Sequence, residues 1–366
     1  QPIPADMADG ARGARMVEVS LDLTQTRFPP ADLKQTQPQQ LALLGAALGI
    51  GELIKSLPPE TTSVVVGMGC DAEVTRFGQR WRLADEFDEP DQLAAARDDV
   101  VAGWTAAGVV GAMPNVVANR LNSQFDLRGP SFTVSREQLS GTTALELAAR
   151  ALRRGEIDAA VVGAVDLSCE PVHQAAARAL LHADEQIPAD AAVVLVLKRA
   201  ADARRDGNPV YATLLPDQQV DAECLHLGTV PGAVNLSALL GHAHAASGLL
   251  HVAAGVLYGA LGVWPDGEPW TSEQRRVAVE LTGMADQRQH LTLVSSATGP
   301  EAAILLAPAA TNAAGKPIRL NFPAHLPAVH LPPRVTAPGT NPPEQLEQFM
   351  PTQLPMPPAL ATVAES

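Results

Sequence analysis

The sequence is poor in aromatic residues, in cysteine and in positive charge, and each shortage argues against a class of protein. Phe, Trp and Tyr make up 4% of the 366 residues, which argues against an aromatic-rich β-sandwich. The three cysteines, Cys70, Cys169 and Cys224, are far apart and lack metal-ligand spacing, so they predict buried apolar residues in a reducing compartment. The formal net charge of -14 argues against non-specific nucleic-acid binding, which needs a basic surface.

Targeting and membrane signals are also scarce. Residues 1–10 contain neither a basic segment nor an apolar core, so they predict no signal peptide and favour a soluble, cytoplasmic protein. The one long apolar stretch, 242–263, contains three histidines and several glycines and has no basic flank. It predicts a buried core helix rather than a membrane span.

Aliphatic residues dominate the rest of the chain, and their spacing alternates between strand and helix patterns. The predicted strands cover residues 16–23, 63–66, 131–134, 159–165, 191–197, 209–215, 291–296 and 302–307, the last two as a hairpin. The predicted helices cover 38–49, 141–154 and 248–261, with an irregular surface segment at 71–99 and a polar turn at 202–207. Apolar strands interleaved with helices predict an α/β sheet covered on both faces.

The segment 118–144 has the pattern most suggestive of a reactive site. A short strand is followed by a tight turn and an Ala/Leu-rich helix, an arrangement that places a side chain at the positive end of the helix. Free N–H groups there stabilise negative charge and lower the pKa of a thiol. The geometry by itself fits an ordinary α/β crossover better than a reactive site, so the residue types must decide.

The residues of this segment resemble the β-ketoacyl synthases, the condensing domains of polyketide and fatty-acid synthases. The run Arg128-Gly-Pro-Ser-Phe-Thr-Val134 is similar to the stretch that precedes the family's nucleophilic cysteine. Further pieces match in the family's order: Phe28-Pro-Pro-Ala-Asp-Leu, Gln37-Pro-Gln-Gln40, Asn119-Arg-Leu121, the strand at 158–165, the stretch 192–199 with Asp206-Gly207 and Tyr211, and Gly241-His242. The resemblance spans most of residues 15–309.

The departures from the family pattern are concentrated at its reactive positions. The nucleophile position falls on Gln138, whose amide has no ionisable group and cannot form an acyl thioester. The family's first catalytic histidine has only a poor counterpart, His226, whereas its second corresponds to His242. The lysine before Gly-His is replaced by Ser237, and the closing Gly-rich loop by residues 297–302. The resemblance thus implies a degenerate site formed by Gln138, His242 and His226.

The run Glu137-Gln138-Leu-Ser-Gly141 resembles the chain-length-factor pattern Glu-Gln-Ala-Gly-Gly, in particular that of polyunsaturated fatty-acid and iterative polyketide synthases. The resemblance implies a non-condensing domain that pairs as a heterodimer with an active ketosynthase and shapes its acyl tunnel. Two alternatives remain open. One is a loading-type malonyl-carrier-protein decarboxylase, which also has a glutamine at this position, and the other is a carrier-protein docking module.

The same resemblance implies a thiolase-like fold, with two similar halves in five αβαβα layers and the N-terminal part of the first half absent from the chain. Residues 15–200 would form the first half and 201–309 the second. Residues 1–14 would be a linker. Residues 310–366 would form an extended Pro-rich tail, because about a dozen of the 31 prolines fall there without any periodicity.

The resemblance also suggests which surfaces meet partners. The candidates for the acyl tunnel or dimer interface are Phe132, Val134, Glu137, Gln138, Leu139 and Ser140. The basic residues Arg150, Arg153, Arg154, Lys198 and Arg199 are candidates for docking an acidic acyl carrier protein, although an ordinary solvated face is the simpler interpretation. No nucleic acid, membrane or cofactor is expected, since phosphopantetheine would arrive on the carrier. No metal is expected either, since His242 and His244 are two residues apart and would face different ways on a helix.

Overall fold

The fold was obtained as a computed structural model. It describes residues 13–16, 19, 21–69, 72–85, 87–101, 103, 105–182, 185–215, 224–262, 276–283, 287–294 and 302–305, all within one compact unit, Gln1–Leu326. Most of the predicted N-terminal linker, the predicted Pro-rich tail at 310–366 and the loop at 297–301 lie outside the described residues.

Nine strands of the described chain form one mixed sheet. In chain order they are β1 (Thr62–Met68), β2 (Ser131–Val134), β3 (Ala159–Leu167), β4 (Asp190–Arg199), β5 (Val210–Leu215), β6 (Cys224–Gly228), β7 (Arg276–Thr282), β8 (Arg288–Val294) and β9 (Ala302–Leu305). Their order across the sheet is β2-β1-β3-β4-β9-β5-β8-β7-β6. The pairs β1–β2, β1–β3 and β6–β7 are parallel, and the remaining neighbours are antiparallel.

The described residues also form twelve α-helices, some of which cover both faces of strands β1, β3 and β4. In chain order they are α1 (Pro30–Lys34), α2 (Pro38–Leu48), α3 (Gly51–Lys55), α4 (Ala72–Arg82), α5 (Pro90–Val100), α6 (Ala106–Ala112), α7 (Val116–Phe125), α8 (Ser140–Arg154), α9 (Pro171–Leu180), α10 (Ala200–Arg205), α11 (Ser237–Leu240) and α12 (His244–Leu261). A short 3₁₀ turn, Glu137–Leu139, leads into α8. Proline at the first turn begins α2, and left-handed glycines end α8 and α12.

Two apolar cores divide the packing between the faces of β1, β3 and β4. The inner core joins α8 and α12 to both ends of the sheet, since Val65 and Val162 from the first part share it with Leu227 and Val279 from the second. The outer core packs α2, α3, α7 and α10 against the opposite face of β1 and β3. The expected α/β architecture is therefore present, with α8 and α12 as a central helical layer. A helical layer outside the second part of the sheet is not found among the described residues.

Strands β1 and β3 are buried along almost their whole length, which is why their sequences are apolar without alternation. The predicted strands at 63–66, 131–134, 159–165 and 191–197 correspond to β1, β2, β3 and β4, and the predicted helices to α2, α8 and α12. The predicted hairpin is wrong, because β5 lies between β8 and β9 in the sheet. The described residues of 16–23 form no strand, the segment 71–99 contains helices α4 and α5, and 202–207 contributes to helix α10.

The long apolar helix α12 has the length and hydropathy that a membrane span would need, with a mean hydropathy of 1.3. It lies in the middle of the fold, where it packs against α8 and against strands from both parts of the sheet. More than half of it is buried there, including Leu249, Val252 and Val256. Its apolar composition is that of a helix in contact with protein on most sides.

A close approach between β1 and the beginning of α8 generates a stability prediction. A Cβ atom on Gly67 would lie 2.4 Å from the backbone nitrogen of Gly141, closer than van der Waals contact allows. We expect Gly67→Ala to lower the free energy of unfolding by about 2 kcal/mol or more, because the strand and helix would have to separate. Urea unfolding followed by circular dichroism measures this change.

The matched control is Gly78→Ala in helix α4, where a Cβ atom would meet nothing within 4 Å. Alanine there is expected to raise the free energy of unfolding by about 0.5–1 kcal/mol, because it reduces the backbone entropy of the unfolded chain. Equal effects at the two glycines would contradict the close approach of β1 and α8.

Candidate functional site

The candidate site lies where three parallel strands, β2, β1 and β3, end at the same edge of the sheet. Gly69 follows β1, the turn Glu137–Leu139 follows β2, and Asp166 lies near the end of β3. The N-termini of α8, α9 and α12 come to the same region, since residues at or next to the start of each helix contact one another there. Such strand ends are where ligands bind in open α/β sheets, and helix N-termini add partial positive charge.

Gln138 occupies the turn between β2 and α8, as the strand–turn–helix pattern predicted. Its side chain is buried, and its Oε1 atom has no hydrogen-bond partner among the described residues. The turn is held by Ser140, whose hydroxyl donates to the carbonyl of Glu137 at 2.7 Å and accepts from the backbone N–H of Arg136 at 2.8 Å. An amide at this point can donate or accept hydrogen bonds but cannot attack a thioester.

Glu137 and His244 form a hydrogen-bonded pair between the starts of α8 and α12. The Nε2 atom of His244 lies 3.0 Å from Oε2 of Glu137. The hydrogen bond to His244 lowers the pKa of the Glu137 carboxyl. Burial acts to lower the pKa of His244, but this hydrogen bond and the charges of Asp166, Glu137 and Glu185 outweigh it and raise that pKa. The pair therefore favours an imidazolium beside a carboxylate.

Asp166 and His173 form a second pair next to the first. The Nε2 atom of His173 lies 3.3 Å from Oδ1 of Asp166, and the rings of His173 and His244 contact edge to face with centroids 5.2 Å apart. Complete burial raises the pKa of Asp166, although the two histidines and hydrogen bonds from Ser168 and the Ala245 N–H oppose the shift. These donors partly offset the free-energy cost of burying a carboxylate at the site.

His242 is buried beside this cluster, and its ring centroid lies 6.0 Å from that of His244. Its Nδ1 atom accepts the backbone N–H of His244 at 3.3 Å, which places the ring proton of the neutral form on Nε2, the atom that lies 4.0 Å from Glu185. Burial lowers the pKa of His242 to about 3, helped by the positive charges of nearby histidines. His242 is thus a neutral histidine at physiological pH, and Nε2–H is its available donor.

The other histidines have different environments. His251 donates from Nδ1 to the carbonyl of Ser247 at 2.8 Å and accepts the N–H of Leu236 at Nε2, so both ring nitrogens serve the packing of α12. His226 lies on β6 at the far edge of the sheet from β2, half-exposed and 3.9 Å from Glu280. The structure therefore does not bring His226 to Gln138, because the sheet order separates their strands.

The six residues expected to form an acyl tunnel or dimer interface differ in exposure, and the change occurs at the turn before α8. Phe132 is 40% exposed on the edge strand β2, Val134 is half-buried and Glu137 is exposed. The three that follow in the chain, Gln138, Leu139 and Ser140, are buried within the fold. Only the first three therefore present area to a partner.

The five basic residues expected to dock a carrier protein differ in whether their charge is free or ion-paired. Arg150, Arg153 and Arg154 lie on the outer face of α8, and Arg154 is 3.7 Å from Glu156. Lys198 is buried and ion-paired with Asp206. Arg199 binds Asp158, Asp202 and the carbonyl of Ile157. The structure corrects the expectation for the last two, because Lys198 and Arg199 tie β4 to its neighbours and leave no free positive charge.

A cavity of about 870 Å³ lies between the outer face of α8 and strands β7 and β8. Four arginines line it: Arg136, Arg150, Arg153 and Arg288. Arg136 donates to Gln287 at 2.9 Å and to Thr143, whereas the other three make no ion pair among the described residues. The cavity also contains Glu146 and Glu280, so the arginines outnumber the carboxylates.

Neither described cysteine has the environment of a nucleophile. Cys169 and Cys224 are both buried, and burial together with the charge of Asp190 raises the pKa of Cys169 to about 12. Cys70 lies outside the described residues. No group of three metal-ligating side chains occurs in the part of the chain that the structure describes. Among the described residues, the groups of the site that can take part in chemistry are its histidines, its carboxylates and the amide of Gln138.

Asp166, His173 and Glu185 were not predicted as site residues from the sequence, and His244 was considered there only as a metal ligand. These residues are separated by up to about a hundred positions from Glu137, and no local period connects them. One signal was available: Asp166 is an acidic residue at the end of the otherwise apolar strand β3, where a buried charge needs partners.

The chain matches a known family over more than half its length. The sequence profile of "Beta-ketoacyl synthase, N-terminal domain" matches residues 5–203. The highly reducing polyketide synthase PKS2 of Leptosphaeria maculans is 28% identical over 264 residues, which are 66% of this chain and 9% of the relative. The chain thus spans about a tenth of the length of that multidomain relative.

Solved structures show the same fold. The PfaC keto synthase–chain length factor matches with a TM-score of 0.60 and 18% identity, over 81% of this chain and 38% of the other. The oxazolomycin ketosynthase domain OzmH KS7 from Streptomyces albus matches with a TM-score of 0.58 and 19% identity, over 82% of this chain and 70% of the other. The α/β fold expected from the sequence, with the thiolase-like architecture of ketosynthases, is therefore confirmed.

The buried neutral His242 predicts a pH-dependent loss of stability. Between pH 6.5 and about 3, His242 is protonated in the unfolded chain but neutral in the native protein. The free energy of unfolding therefore falls as the pH falls. We expect His242→Gln to remove this loss, by about 1.4 kcal/mol per pH unit in that window relative to wild type. Urea unfolding at pH 7, 5.5 and 4.5 measures the difference.

The control for this prediction is His182→Gln, which changes an exposed histidine at the end of α9. Its stability is expected to follow the wild-type pH dependence. A constant gap between wild type and His242→Gln at all three pH values would contradict the neutral, buried state of His242.

Proposed function

The chain belongs to the β-ketoacyl synthase family, and from this premise we propose that it is a chain-length-factor-like domain of a polyketide or polyunsaturated fatty-acid synthase. It pairs with an active ketosynthase and shapes the tunnel that receives the growing acyl chain. It does not condense by itself. The carrier protein delivers the acyl group on phosphopantetheine, and the chain holds no cofactor of its own.

The observation that carries this proposal is the buried amide of Gln138 at the N-terminus of α8. In a condensing enzyme of this family the corresponding residue is a nucleophilic cysteine, and the helix end serves to stabilise its thiolate. Here the same strand–turn–helix geometry is kept and the nucleophile is replaced. Cys169 cannot compensate, because burial raises its pKa to about 12. The run from Glu137 to Gly141 and the likeness to the PfaC ketosynthase–chain length factor support the same role.

The pairing surface is proposed to be the edge formed by β2 and the outer face of α8. Strand β2 is paired with β1 alone among the described strands, so one of its edges is open for another strand. Phe132 is exposed on it, beside a groove of about 250 Å³ that also contains Leu147, Ala151 and Ile157. An exposed aromatic beside an apolar groove is typical of a protein interface.

The arginine-lined cavity supports docking of an acidic carrier protein. Arg150 and Arg153 on α8 have no ion-pair partner among the described residues, and Arg288 on β8 extends the positive charge across the cavity. Unpaired arginines attract an acidic partner and bind phosphate or carboxylate groups in bidentate geometry. The net charge of the whole chain is negative, so an acidic carrier protein is attracted to this local excess of arginine rather than to the rest of the surface.

The first test concerns acylation. We expect no stoichiometric acyl adduct on the wild-type protein after incubation with an acyl-carrier or acyl-CoA donor, because Gln138 is not nucleophilic. Gln138→Cys should become acylated, because the new thiol lies at the N-terminus of α8. Intact-mass spectrometry reads both outcomes. A stoichiometric adduct that survives replacement of all three cysteines by serine would contradict the expected lack of acylation. Labelling that only Cys169→Ser abolishes would refute the assigned nucleophile position.

The second test concerns pairing. We expect a ketosynthase from the same synthase to copurify with the wild-type chain, and Phe132→Asp to abolish pairing, because it places a charge at the centre of an apolar interface. Leu261→Asp is the control, since Leu261 is also an exposed apolar residue, 63% exposed against 40% for Phe132, but lies at the C-terminal end of α12. Sedimentation velocity measures the complex. A monomer indifferent to a co-expressed ketosynthase would contradict the proposal.

A further inference from the structure

Two carboxylate–imidazole pairs lie side by side next to the replaced nucleophile. In one pair Nε2 of His244 contacts the carboxylate of Glu137 at 3.0 Å, and in the other Nε2 of His173 contacts Asp166 at 3.3 Å. The edge-to-face contact of the two rings joins the pairs into one cluster. Glu137 precedes Gln138 directly in the chain, so the cluster stands at the degenerate nucleophile turn.

The opposite nitrogens of both rings remain available. Nδ1 of His244 and Nδ1 of His173 are buried and have no hydrogen-bond partner among the described residues, as is true of Oε1 of Gln138. Buried polar atoms in native proteins are normally satisfied by a protein group, a ligand or water. Three unpartnered atoms at and beside one turn indicate a place that receives a polar group.

The tautomers of the two rings follow from their contacts. Each Nε2 faces a carboxylate and therefore carries the proton, so in the neutral imidazole each Nδ1 presents a lone pair. A histidine whose far nitrogen is held by a carboxylate is the arrangement of a general base. His251 shows the contrast, because both of its ring nitrogens are hydrogen-bonded within the fold.

Backbone strain marks the same two residues. Only three non-glycine residues of the described chain have positive φ, and two of them are Glu137 at 46° and His244 at 35°. Such conformations cost energy and persist at places where the surrounding structure enforces them, frequently functional sites. Here the strain brings the two side chains of one hydrogen-bonded pair together from the starts of two different helices.

Room for the pair is kept by Gly69 at the end of β1. A Cβ atom on Gly69 would lie 3.2 Å from Oδ2 of Asp166 and 3.5 Å from Cδ2 of His244. The His244 side chain retains 13% exposure and Glu137 is more than half exposed, so solvent reaches the pair from the side of Glu137. Nδ1 of His244 itself is buried, so a water that it activates must enter the interior of the site.

We propose that His244 is a general base that activates water for hydrolysis of an acyl thioester at this site. The proposal rests on the proposed function for the presence of an acyl chain near Gln138. Glu137 is then a positioning residue for His244, and Asp166 and His173 position the pair from the other side. The activity would release acyl chains that enter the non-condensing domain.

The reaction balances without any further reactant. Nδ1 of His244 takes a proton from water while the water oxygen forms a bond to the thioester carbonyl carbon. The C–S bond then breaks, and the leaving sulfur takes the proton back from the imidazolium. One water is consumed, a carboxylic acid and a thiol are released, and nothing is oxidised or reduced.

The charged and titratable groups around His244 decide its pH dependence. Glu137 faces it from the turn before α8, Asp166 from β3, His173 from α9, and His242 and Glu185 from the segments beside α12. The carboxylates raise the pKa of His244. Hydrolysis should therefore increase with pH through this raised pKa, because the neutral imidazole is the base.

The test uses the full-length protein without a ketosynthase and a hexanoyl thioester of N-acetylcysteamine, with thiol release as the readout. We expect release above the buffer rate and a loss of about 100-fold or more in His244→Gln, as removal of a general base causes. Glu137→Gln should lower the rate and move the pH profile to lower pH, because His244 loses its carboxylate. The exposed His182→Gln is the matched control and should leave both rate and profile unchanged.

Rescue separates a chemical role from a structural one. His244→Gly suits the positive φ at this position and opens space for free imidazole. Added imidazole should restore part of the lost rate, which a purely structural histidine would not permit. A wild-type rate equal to that of buffer, an active His244→Gln, or a failure of imidazole to rescue a folded His244→Gly would overturn the inference.

The two proposals fail separately. A chain that pairs with a ketosynthase but hydrolyses nothing refutes the general base and leaves the pairing role intact. A chain that hydrolyses the thioester but pairs with no ketosynthase refutes the chain-length-factor role alone.

Discussion

The structure depends on a contact between three backbones that only glycine permits. Gly67 of β1 meets the first turn of α8 so closely that a Cβ atom would lie 2.4 Å from Gly141 N. A Cβ atom on Gly141 would in turn lie 2.8 Å from Cβ of Ala164 on β3 and 3.1 Å from the carbonyl of Ala245 on α12. Strand, helix and helix are therefore locked at one point. The turn that contains Gln138 and the start of α12 that contains His244 are positioned by this contact.

The electrostatics of the site follow from that geometry. With the starts of α8, α9 and α12 directed at the ends of β1 and β3, the region carries partial positive charge and can hold buried carboxylates. Asp166 is fully buried there, and its pKa is raised by that burial despite the donors around it. The same region in a condensing enzyme of the family would hold a thiolate. Here the described residues place an amide, three carboxylates and three histidines in this region, so it is rich in acid–base groups.

The outer face of α8 gives the fold a side on which partners can be received. It borders both the arginine-lined cavity and the groove at the edge strand β2, and Leu147 and Arg150 line both. The buried face of α8 packs against α12, so the residues on its opposite face remain at the surface. None of the four residues of the acid–base cluster, Glu137, Asp166, His173 and His244, lines either of the two.

The local sequence by itself determined the strands and helices whose pattern is unbroken. β1, β3 and α8 were predictable because their burial is continuous or periodic, and Gln138 was placed in its turn because the motif around it is local. The order of the strands was not predictable, since the pairing of β9 with β4 and β5 joins residues about a hundred positions apart. The acid–base cluster was decided only by the tertiary structure. Glu137, Asp166, His173 and His244 lie on four separate segments, and no periodicity in a sequence encodes a contact made by the close packing of two helix ends against a sheet.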